Sequence, residues 1–452
     1  MKHQAKMLTI AALALALSAC GGKSSTSGQD QNNSQEQPKQ EAPKVDPAEE
    51  FKKKPVTVTL VNYGAGVNNE TDLEKIILGP VRQKYPNITI ELVKDLAKLV
   101  QAGQTPDLIA TSNFYMDLML DMGVATDLNE AVKKYNIDLS NLEPETINAL
   151  KPYGKNGELY GMPYSMNYGT LIYNKDIFDK FGAPYPTDGM TWDEIIELAK
   201  KVTRTEAGIQ YLGIDPGYPQ VMTRQLSLPV TDASGEKAAF QTEGYQKVFQ
   251  MYRTIYSIPG MIDPNRNYLR DNVDIFLKEQ RVAMQTYWIA GITSRLLQLI
   301  EGGQNFNWDL VSFPSFAENK GVGREIDFHL LMVTPAGKDK EAVYRVLEAM
   351  QTKEAQIQMN KDGRLTAWKD PEIQKDFAVN LNIFNGKNLA GIFTVKPAPA
   401  PRSSMYDNKG LSFLNQAMNE MIKQGTDINT LLRKAEEQTN QYIQEELQKK
   451  AK

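Results

Sequence analysis

The residue with the most distinctive chemistry is Cys20, the only cysteine among 452 residues. It closes the segment Leu17-Ser18-Ala19-Cys20, which follows a charged start and an apolar run from Leu8 to Leu17. A run this short is typical of a secretory signal, because a membrane-spanning helix needs about 20 apolar residues. The pattern predicts a signal peptide over residues 1–19 and a lipobox, in which the thiol of Cys20 receives a diacylglycerol anchor, with palmitate as an acyl group. The alternative is an ordinary cleavable signal that ends at a cysteine by chance.

Other thiol and imidazole chemistry is nearly excluded. Once Cys20 is lipidated, the mature chain holds no thiol for a disulfide, a nucleophile or a metal site. His3 leaves with the signal peptide, so His329 is the only histidine that remains, and a zinc site built from several histidines is impossible. His329 lies in the apolar segment 327–333, which favours a buried, hydrogen-bonded side chain over a ligand contact, and a ligand contact over catalysis.

Three further patterns resemble chemical motifs. Gly64-Ala65-Gly66 follows a predicted strand like the start of a dinucleotide loop, but Asn69 occupies the third glycine position, so a loop that approaches a ligand is favoured. Residues from Asp263 to Asp274 resemble a calcium loop, yet Tyr268 replaces its glycine, and a plain turn is favoured while calcium stays open. The 55 acidic residues show no spacing that singles out a catalytic pair. We therefore expect no cofactor and no bound metal.

The composition separates a polar segment from a folded body. Residues 21–50 contain no Leu, Ile, Met, Phe, Tyr or Trp, so residues 20–54 are predicted to form the lipidated cysteine and a disordered tether. The remaining chain of about 400 residues implies two or three domains. Its charge is balanced, with a net charge of −4 for the whole sequence and no sustained basic stripe, so nucleic acid is not an expected partner.

Strand and helix patterns alternate along this body. This alternation predicts an α/β fold with open sheets, whose ligands bind beyond the carboxyl ends of the strands. The predicted strands are 56–61, 87–93, 106–111, 171–173, 310–313 and 329–333, and the predicted helices are 70–85, 192–202, 243–256, 340–351 and 431–450.

Several segments together resemble the extracellular solute-binding proteins of ABC importers, in the carbohydrate-binding group that includes maltose-binding protein. Their order and spacing extend across residues 55–450. One departure is Gln280, which stands where the family usually has glycine. The segments are Thr105–Leu108, Gly157–Tyr164, Gly169–Asp176, Thr191–Glu194, Phe276–Met284, Tyr287–Trp288 and Val333–Ala336.

The resemblance implies a two-lobed periplasmic-binding-protein-like fold, in which each lobe is an open sheet flanked by helices and the ligand cleft lies between the lobes. We place lobe one at 55–168 plus 308–370 and lobe two at 169–307 plus 371–452. The implied function is a lipid-anchored extracytoplasmic receptor, not an enzyme, that captures an oligosaccharide or another polar solute. It would deliver this solute to the permease subunits of an ABC importer and act as a monomer. Alternatives are a secreted glycan hydrolase and a surface adhesin or sensor co-receptor.

A sugar needs aromatic rings beneath its apolar face and amides, carboxylates or arginine around its hydroxyls. Trp288 is the favoured stacking residue, since it follows an apolar strand where the family often places an aromatic. Trp192 and Trp308 are predicted to pack in the core, and Trp368 is undecided. The candidate ligand-binding residues are Tyr63, Asn68, Asn113, Phe114, Tyr164, Tyr168, Tyr218, Tyr287, Trp288 and Arg402.

Overall fold

The computed structural model describes residues 47–262 and 273–450. The chain divides into two units, Met1–Pro47 and Ala48–Lys452, and the second unit holds every strand that the structure describes. The predicted signal peptide, Cys20 and the predicted tether as far as residue 46 lie outside the described residues. Residues 263–272 of the candidate calcium loop also lie outside them. Residues 47–51 were predicted to belong to a disordered tether, but they form a short helix, and Phe51 packs against Tyr85.

The second unit is a mixed α/β structure. Its strands are β1 (Val56–Tyr63), β2 (Ile88–Val93), β3 (Leu108–Ser112), β4 (Met162–Asn167), β5 (Gly169–Asn174), β6 (Arg204–Glu206), β7 (Ile209–Tyr211), β8 (Met284–Trp288), β9 (Trp308–Ser312), β10 (Val322–Glu325), β11 (Asp327–Val333) and β12 (Lys396–Ala398). Its helices are α1 (Pro47–Phe51), α2 (Glu70–Leu73), α3 (Gly79–Lys84), α4 (Leu96–Gln101), α5 (Met116–Asp121), α6 (Asn129–Lys134), α7 (Pro144–Leu150), α8 (Lys175–Phe181), α9 (Trp192–Val202), α10 (Gln220–Gln225), α11 (Glu243–Tyr256), α12 (Val273–Leu277), α13 (Ile289–Glu301), α14 (Lys340–Met350), α15 (Lys353–Lys361), α16 (Pro371–Gln374), α17 (Asp407–Gln424) and α18 (Ile428–Lys450).

The first sheet has five strands in the order β2-β1-β3-β11-β4. Strand β1 pairs in parallel with β2 and β3, whereas β11 runs antiparallel to both β3 and β4. Every residue of β3, β4 and β11 is buried. Burial on both faces accounts for the continuous apolar runs Leu108–Ala110 in β3 and Leu330–Val333 in β11.

The second sheet has three antiparallel strands in the order β8-β5-β9. The chain passes from the first sheet to the second through Tyr168, the single residue between β4 and β5. It returns after β9, because Trp308–Ser312 pairs with β5. The limits of the lobes remain a prediction. Residues 308–312 were predicted to belong to lobe one, but this pairing places them in the second sheet.

Helix boundaries follow local capping. Thr191 and Glu194 form a capping box at the start of α9, and Thr242 caps α11 by accepting from the amide of Tyr245. Asn69 caps α2 by accepting from the amide of Asp72. The predicted helix over 70–85 contains a π-helical segment, Glu74–Leu78. Pro80 follows it and lacks the N–H that an α-helix would bond four residues back, so the wider π turn relieves that conflict.

Candidate ligand-binding site

Two predicted aromatic residues from different sheets meet at one place. Phe114 follows β3, in a turn where Ser112 Oγ accepts from the amide of Phe114 at 3.2 Å. Trp288 is the last residue of β8. The ring centroids of Phe114 and Trp288 are 6.4 Å apart with planes tilted by 41°. Both rings are only partly buried, so each keeps surface for a ligand.

Two arginines that the sequence analysis did not identify cover these rings. Arg324 Cζ lies 3.8 Å from the ring centre of Trp288, and Arg224 Cζ lies 4.1 Å from that of Phe114. We call these four side chains the arginine–aromatic stack. Glu325 joins its ends, since its carboxylate lies 3.1 Å from Arg324 Nε and 3.9 Å from Arg224 Nη1. Burial raises the pKa of Glu325, and the two guanidinium groups oppose that shift.

Two cavities flank the arginine–aromatic stack. The first, which we call the β8 cavity, has a volume of about 190 Å³. It is lined by Asp215, Gly217, Tyr218, Gln220, Val221, Gln285, Thr286, Tyr287, Trp288 and Arg324. The second, the Phe114 cavity, has a volume of about 420 Å³, and Asn113, Phe114 and Arg402 contribute to its wall together with Tyr153 and Pro397–Pro401. The structure thus brings six of the ten predicted residues to these two cavities.

A third and larger cavity adjoins Arg402. Its volume is about 680 Å³, and it lies between α5, the segment Ser227–Gly235 and the segment Pro401–Tyr406. Ser403 connects its walls, because its hydroxyl donates to Asp117 Oδ2 at 2.7 Å. Arg402 itself is exposed, so its guanidinium is available at the rim of both this cavity and the Phe114 cavity.

Asn113 has a structural task at this site. Its Oδ1 accepts from the amide of Phe328 at 3.0 Å, and its Nδ2 donates to the carbonyl of Ile326 at 3.4 Å. The side chain is buried and holds β11 beside the end of β3. The buried Asp327 reinforces this contact by accepting from Ser112 at 2.7 Å.

Tyr164 was expected to contact a ligand, but the structure places it in the core. It is 0% exposed and packs beside His329, with ring centroids 6.2 Å apart. The cause is long-range: Thr366 bridges to the neighbouring Ser165, and Gln356 donates to the carbonyl of Tyr164. The edge of β4 is therefore covered, and burial raises the pKa of the Tyr164 hydroxyl.

Three other predicted residues lie away from the two cavities. Tyr63 packs edge-on against Tyr115, with centroids 4.9 Å apart. Asn68 is exposed and accepts from Asn62 Nδ2 at 3.1 Å. Tyr168 packs against Phe393, and burial raises its pKa to about 12.

The predictions that His329 is buried and that Trp192 and Trp308 pack in the core are confirmed. His329 is buried in β11, where Nδ1 lies 3.4 Å from Ser165 Oγ. Burial, together with the nearby charge of Arg364, lowers its pKa to about 3, so the imidazole is neutral. Trp192 and Trp308 are both core residues. Trp368 is half-buried and donates to Gln351 at 3.4 Å.

The glycine loop after β1 is shaped by close contacts. Gly64 has a φ of +84°, and a Cβ there would lie 2.5 Å from the ring of Tyr115. The loop therefore packs against the protein.

Within residues 47–262 and 273–450, no group of three or more His, Cys, Asp or Glu side chains could hold a metal ion. No helix in those ranges is both long and apolar enough to cross a membrane.

Residues 36–357 match the sequence profile of a family described as bacterial extracellular solute-binding protein. The chain belongs to this family. Solute-binding proteins of this kind have two lobes. The mixed α/β structure described above, with its two main sheets, has that fold. An ABC substrate-binding protein of Listeria monocytogenes in complex with cycloalternan is 18% identical, with 86% of this chain and 99% of that chain covered and a TM-score of 0.68.

Two other solute-binding relatives are comparably distant. MalE, the sugar-binding protein of Xanthomonas citri, is 16% identical, with 86% of this chain and 98% of that chain covered and a TM-score of 0.65. A binding protein of Brucella abortus is 22% identical over 298 residues, which are 64% of this chain and 69% of that protein. Members of the family are binding proteins that act outside the cytoplasm.

Proposed function

We propose that this solute-binding protein captures a sugar, in the first place an oligosaccharide, and delivers it to the permease subunits of an ABC importer. The observation that carries the proposal is the arginine–aromatic stack, which joins an aromatic ring from each sheet beside two cavities. Similar proteins have been solved with cycloalternan, mannobiose and tagatose bound. These ligands support a sugar in preference to other polar solutes.

The chemistry of the stack suits a sugar ring. The faces of Phe114 and Trp288 match the apolar C–H face of a pyranose, and the guanidinium groups of Arg224 and Arg324 supply donors for its oxygens. Because Arg324 already covers one face of Trp288, a sugar must either use the opposite face or displace the guanidinium. A displaced guanidinium stays within reach as a hydrogen-bond donor, whereas a guanidinium on the far side of the indole does not reach the sugar.

Binding between two lobes also suggests how the importer recognises a loaded receptor. A ligand that contacts both Phe114 and Trp288 stabilises a closed arrangement, in which the two sheets are close. The free energy of this stabilisation equals that of the contacts that the ligand makes only in the closed arrangement. We propose binding without turnover, with the chain acting as a monomer. Lipidation at Cys20 and a tether between Cys20 and the start of α1 at Pro47 would hold the folded body near the membrane that contains the importer.

A thermal-shift screen of the full-length protein tests this function. The panel is maltose, maltotriose, mannobiose, mannotriose, cycloalternan and tagatose. A sugar at about 100 times its Kd stabilises the folded state by roughly 2.7 kcal/mol, which is readily detected. We expect a shift with at least one sugar, and chromatography should recover that sugar unchanged. Cleavage of the sugar would favour the hydrolase, and no shift with any sugar would contradict the proposed ligand class.

A further inference from the structure

Three side chains form a hydrogen-bond chain at the boundary between the Phe114 cavity and the third cavity. The hydroxyl of Ser403 donates to Asp117 Oδ2 at 2.7 Å, and the Tyr153 hydroxyl oxygen lies 2.9 Å from Ser403 Oγ. Because the carboxylate takes the single hydroxyl hydrogen of Ser403, the Tyr153 hydroxyl is the donor to Ser403. Ser403 lines both cavities. We call this chain of three side chains the Ser403 bridge.

Two members of the Ser403 bridge belong to the side of the first sheet. Asp117 lies on α5, which follows β3 after a single turn. Tyr153 ends a 3₁₀ turn that follows α7. The chain then enters β4, and both β3 and β4 are strands of the first sheet. Asp117 and Tyr153 are therefore held by elements that lie between these two strands in the chain.

Ser403 belongs to the side of the second sheet. Its neighbour Ser404 donates to Asp407 Oδ1 on α17 at 2.6 Å, which anchors the segment to that helix. Helix α17 packs against α11 and α18. The chain enters α10 and α11 after Asp215, which forms a bridge with Gln285 of β8 in the second sheet. The Ser403 bridge thus connects the two sides of the molecule.

The Ser403 bridge is shielded from water and is sensitive to distance. Ser403 is 7% exposed, and burial raises the pKa of Asp117 and the pKa of Tyr153. A hydrogen bond is lost once its donor and acceptor are more than about 3.5 Å apart. If the two sides of the molecule separate by a few ångströms, the bonds of Ser403 across the boundary break together.

We propose that the Ser403 bridge is a latch that favours the closed arrangement of the two lobes before a sugar binds. The inference rests on the proposed function where it concerns sugar affinity, but closure itself is measurable without a sugar. The loss of one such hydrogen bond shifts an equilibrium about fivefold. The apparent affinity falls with the fraction of molecules in the binding-competent arrangement. Removal of the latch should therefore weaken the binding of every sugar by the same factor.

Ser403→Ala removes both hydrogen bonds of the bridge and leaves the partner side chains in place. In small-angle scattering without sugar, we expect a larger radius of gyration for this variant than for the wild type. Tyr153→Phe removes one bond and should increase the radius less. Thr59→Val is the matched control, because Thr59 on β1 donates to Asp107 Oδ2 at 2.6 Å within the side of the first sheet. It should leave the radius unchanged.

Calorimetry with the sugars of the panel supplies the second measurement. Ser403→Ala should weaken each sugar that the wild type binds by about fivefold, and Thr59→Val should not. If Ser403→Ala and Tyr153→Phe have the radius of the wild type without sugar, the latch is wrong while the proposed function stands. A weaker affinity at an unchanged radius would also overturn the latch, because Ser403 would then contact the sugar directly. Expansion of Ser403→Ala, together with a wild type that binds no sugar of the panel, would support the latch and contradict the proposed function.

Discussion

Replacing Trp288 with alanine separates a ligand-stacking tryptophan from a core tryptophan. Aromatic stacking contributes about 0.5–1.5 kcal/mol beyond buried area. Covering roughly 60 Å² of ring face with sugar adds about 1.5 kcal/mol at 25 cal/mol per Å². The sum predicts that Trp288→Ala weakens sugar binding at least tenfold, the equivalent of about 1.4 kcal/mol, and leaves a margin for repacking of Arg324.

The same substitution should change the unliganded protein little. Trp288 is half-buried at the end of β8, and its main internal contact is the guanidinium of Arg324 at 3.8 Å. A cation–π contact of this type contributes about 0.5–2 kcal/mol. Trp308 is the matched control, since it is 2% exposed and packs edge-on against Phe384. Trp308→Ala should lower the free energy of unfolding by about 3–5 kcal/mol.

Calorimetry with the tightest sugar of the panel measures the affinity, and urea denaturation without sugar measures the stability. We expect Trp288→Ala to lose affinity and to keep most of its stability. Unchanged affinity together with a loss of stability as large as that of Trp308→Ala would refute the reasoning. It would show that Trp288 is a core residue and that the sugar binds elsewhere.

Three further predictions concern charge and the anchor. Burial raises the pKa of Asp407 to about 6, so the folded state loses stability as the pH rises from about 4 to above 6. Asp407→Asn should therefore raise the free energy of unfolding by about 2 kcal/mol at pH 8 and change it little at pH 4. Urea denaturation at the two pH values measures both effects. Burial also raises the pKa of Glu325 in spite of Arg224 and Arg324, so Glu325→Gln, which removes the buried charge, should raise the free energy of unfolding at pH 8 in the same assay. Cys20→Ala should abolish incorporation of labelled palmitate in cells.

Each of these predictions has an outcome that contradicts it. An equal gain for Asp407→Asn at pH 4 and pH 8 would show that this carboxyl does not titrate in that range. A Glu325→Gln protein less stable than the wild type at pH 8 would show that the pairing of this carboxylate with Arg224 and Arg324 outweighs the cost of its burial. Palmitate labelling that persists in Cys20→Ala would place the lipid on another residue.

The elements could be predicted from sequence where periodicity and capping agree. Helix α11 begins and ends at the predicted residues, Glu243 and Tyr256, because Thr242 caps it and its apolar residues repeat at helical spacing. The assignment of residues 308–312 to a lobe failed for a physical reason. The sequence of an apolar strand does not show which strand it pairs with. Only the observed pairing with β5 places residues 308–312 in the second sheet.

The candidate site was only partly visible in the sequence. Phe114 and Trp288 could be proposed because each follows an apolar strand, where ligands of α/β sheets bind. Arg224 and Arg324 could not, because each contacts a ring that is distant in the chain and no local motif marks either one. Tyr164 was misjudged because its burial depends on residues near 366 that cover the edge of β4.

Small-angle scattering with and without sugar tests the central claim most directly. If a sugar binds between the two lobes and contacts rings from both sheets, a saturating concentration of the tightest sugar of the panel should reduce the radius of gyration of the protein. The same sample should return the sugar intact. Identical scattering from the unliganded and the saturated protein, with binding verified by calorimetry, would contradict closure of the two lobes around the ligand.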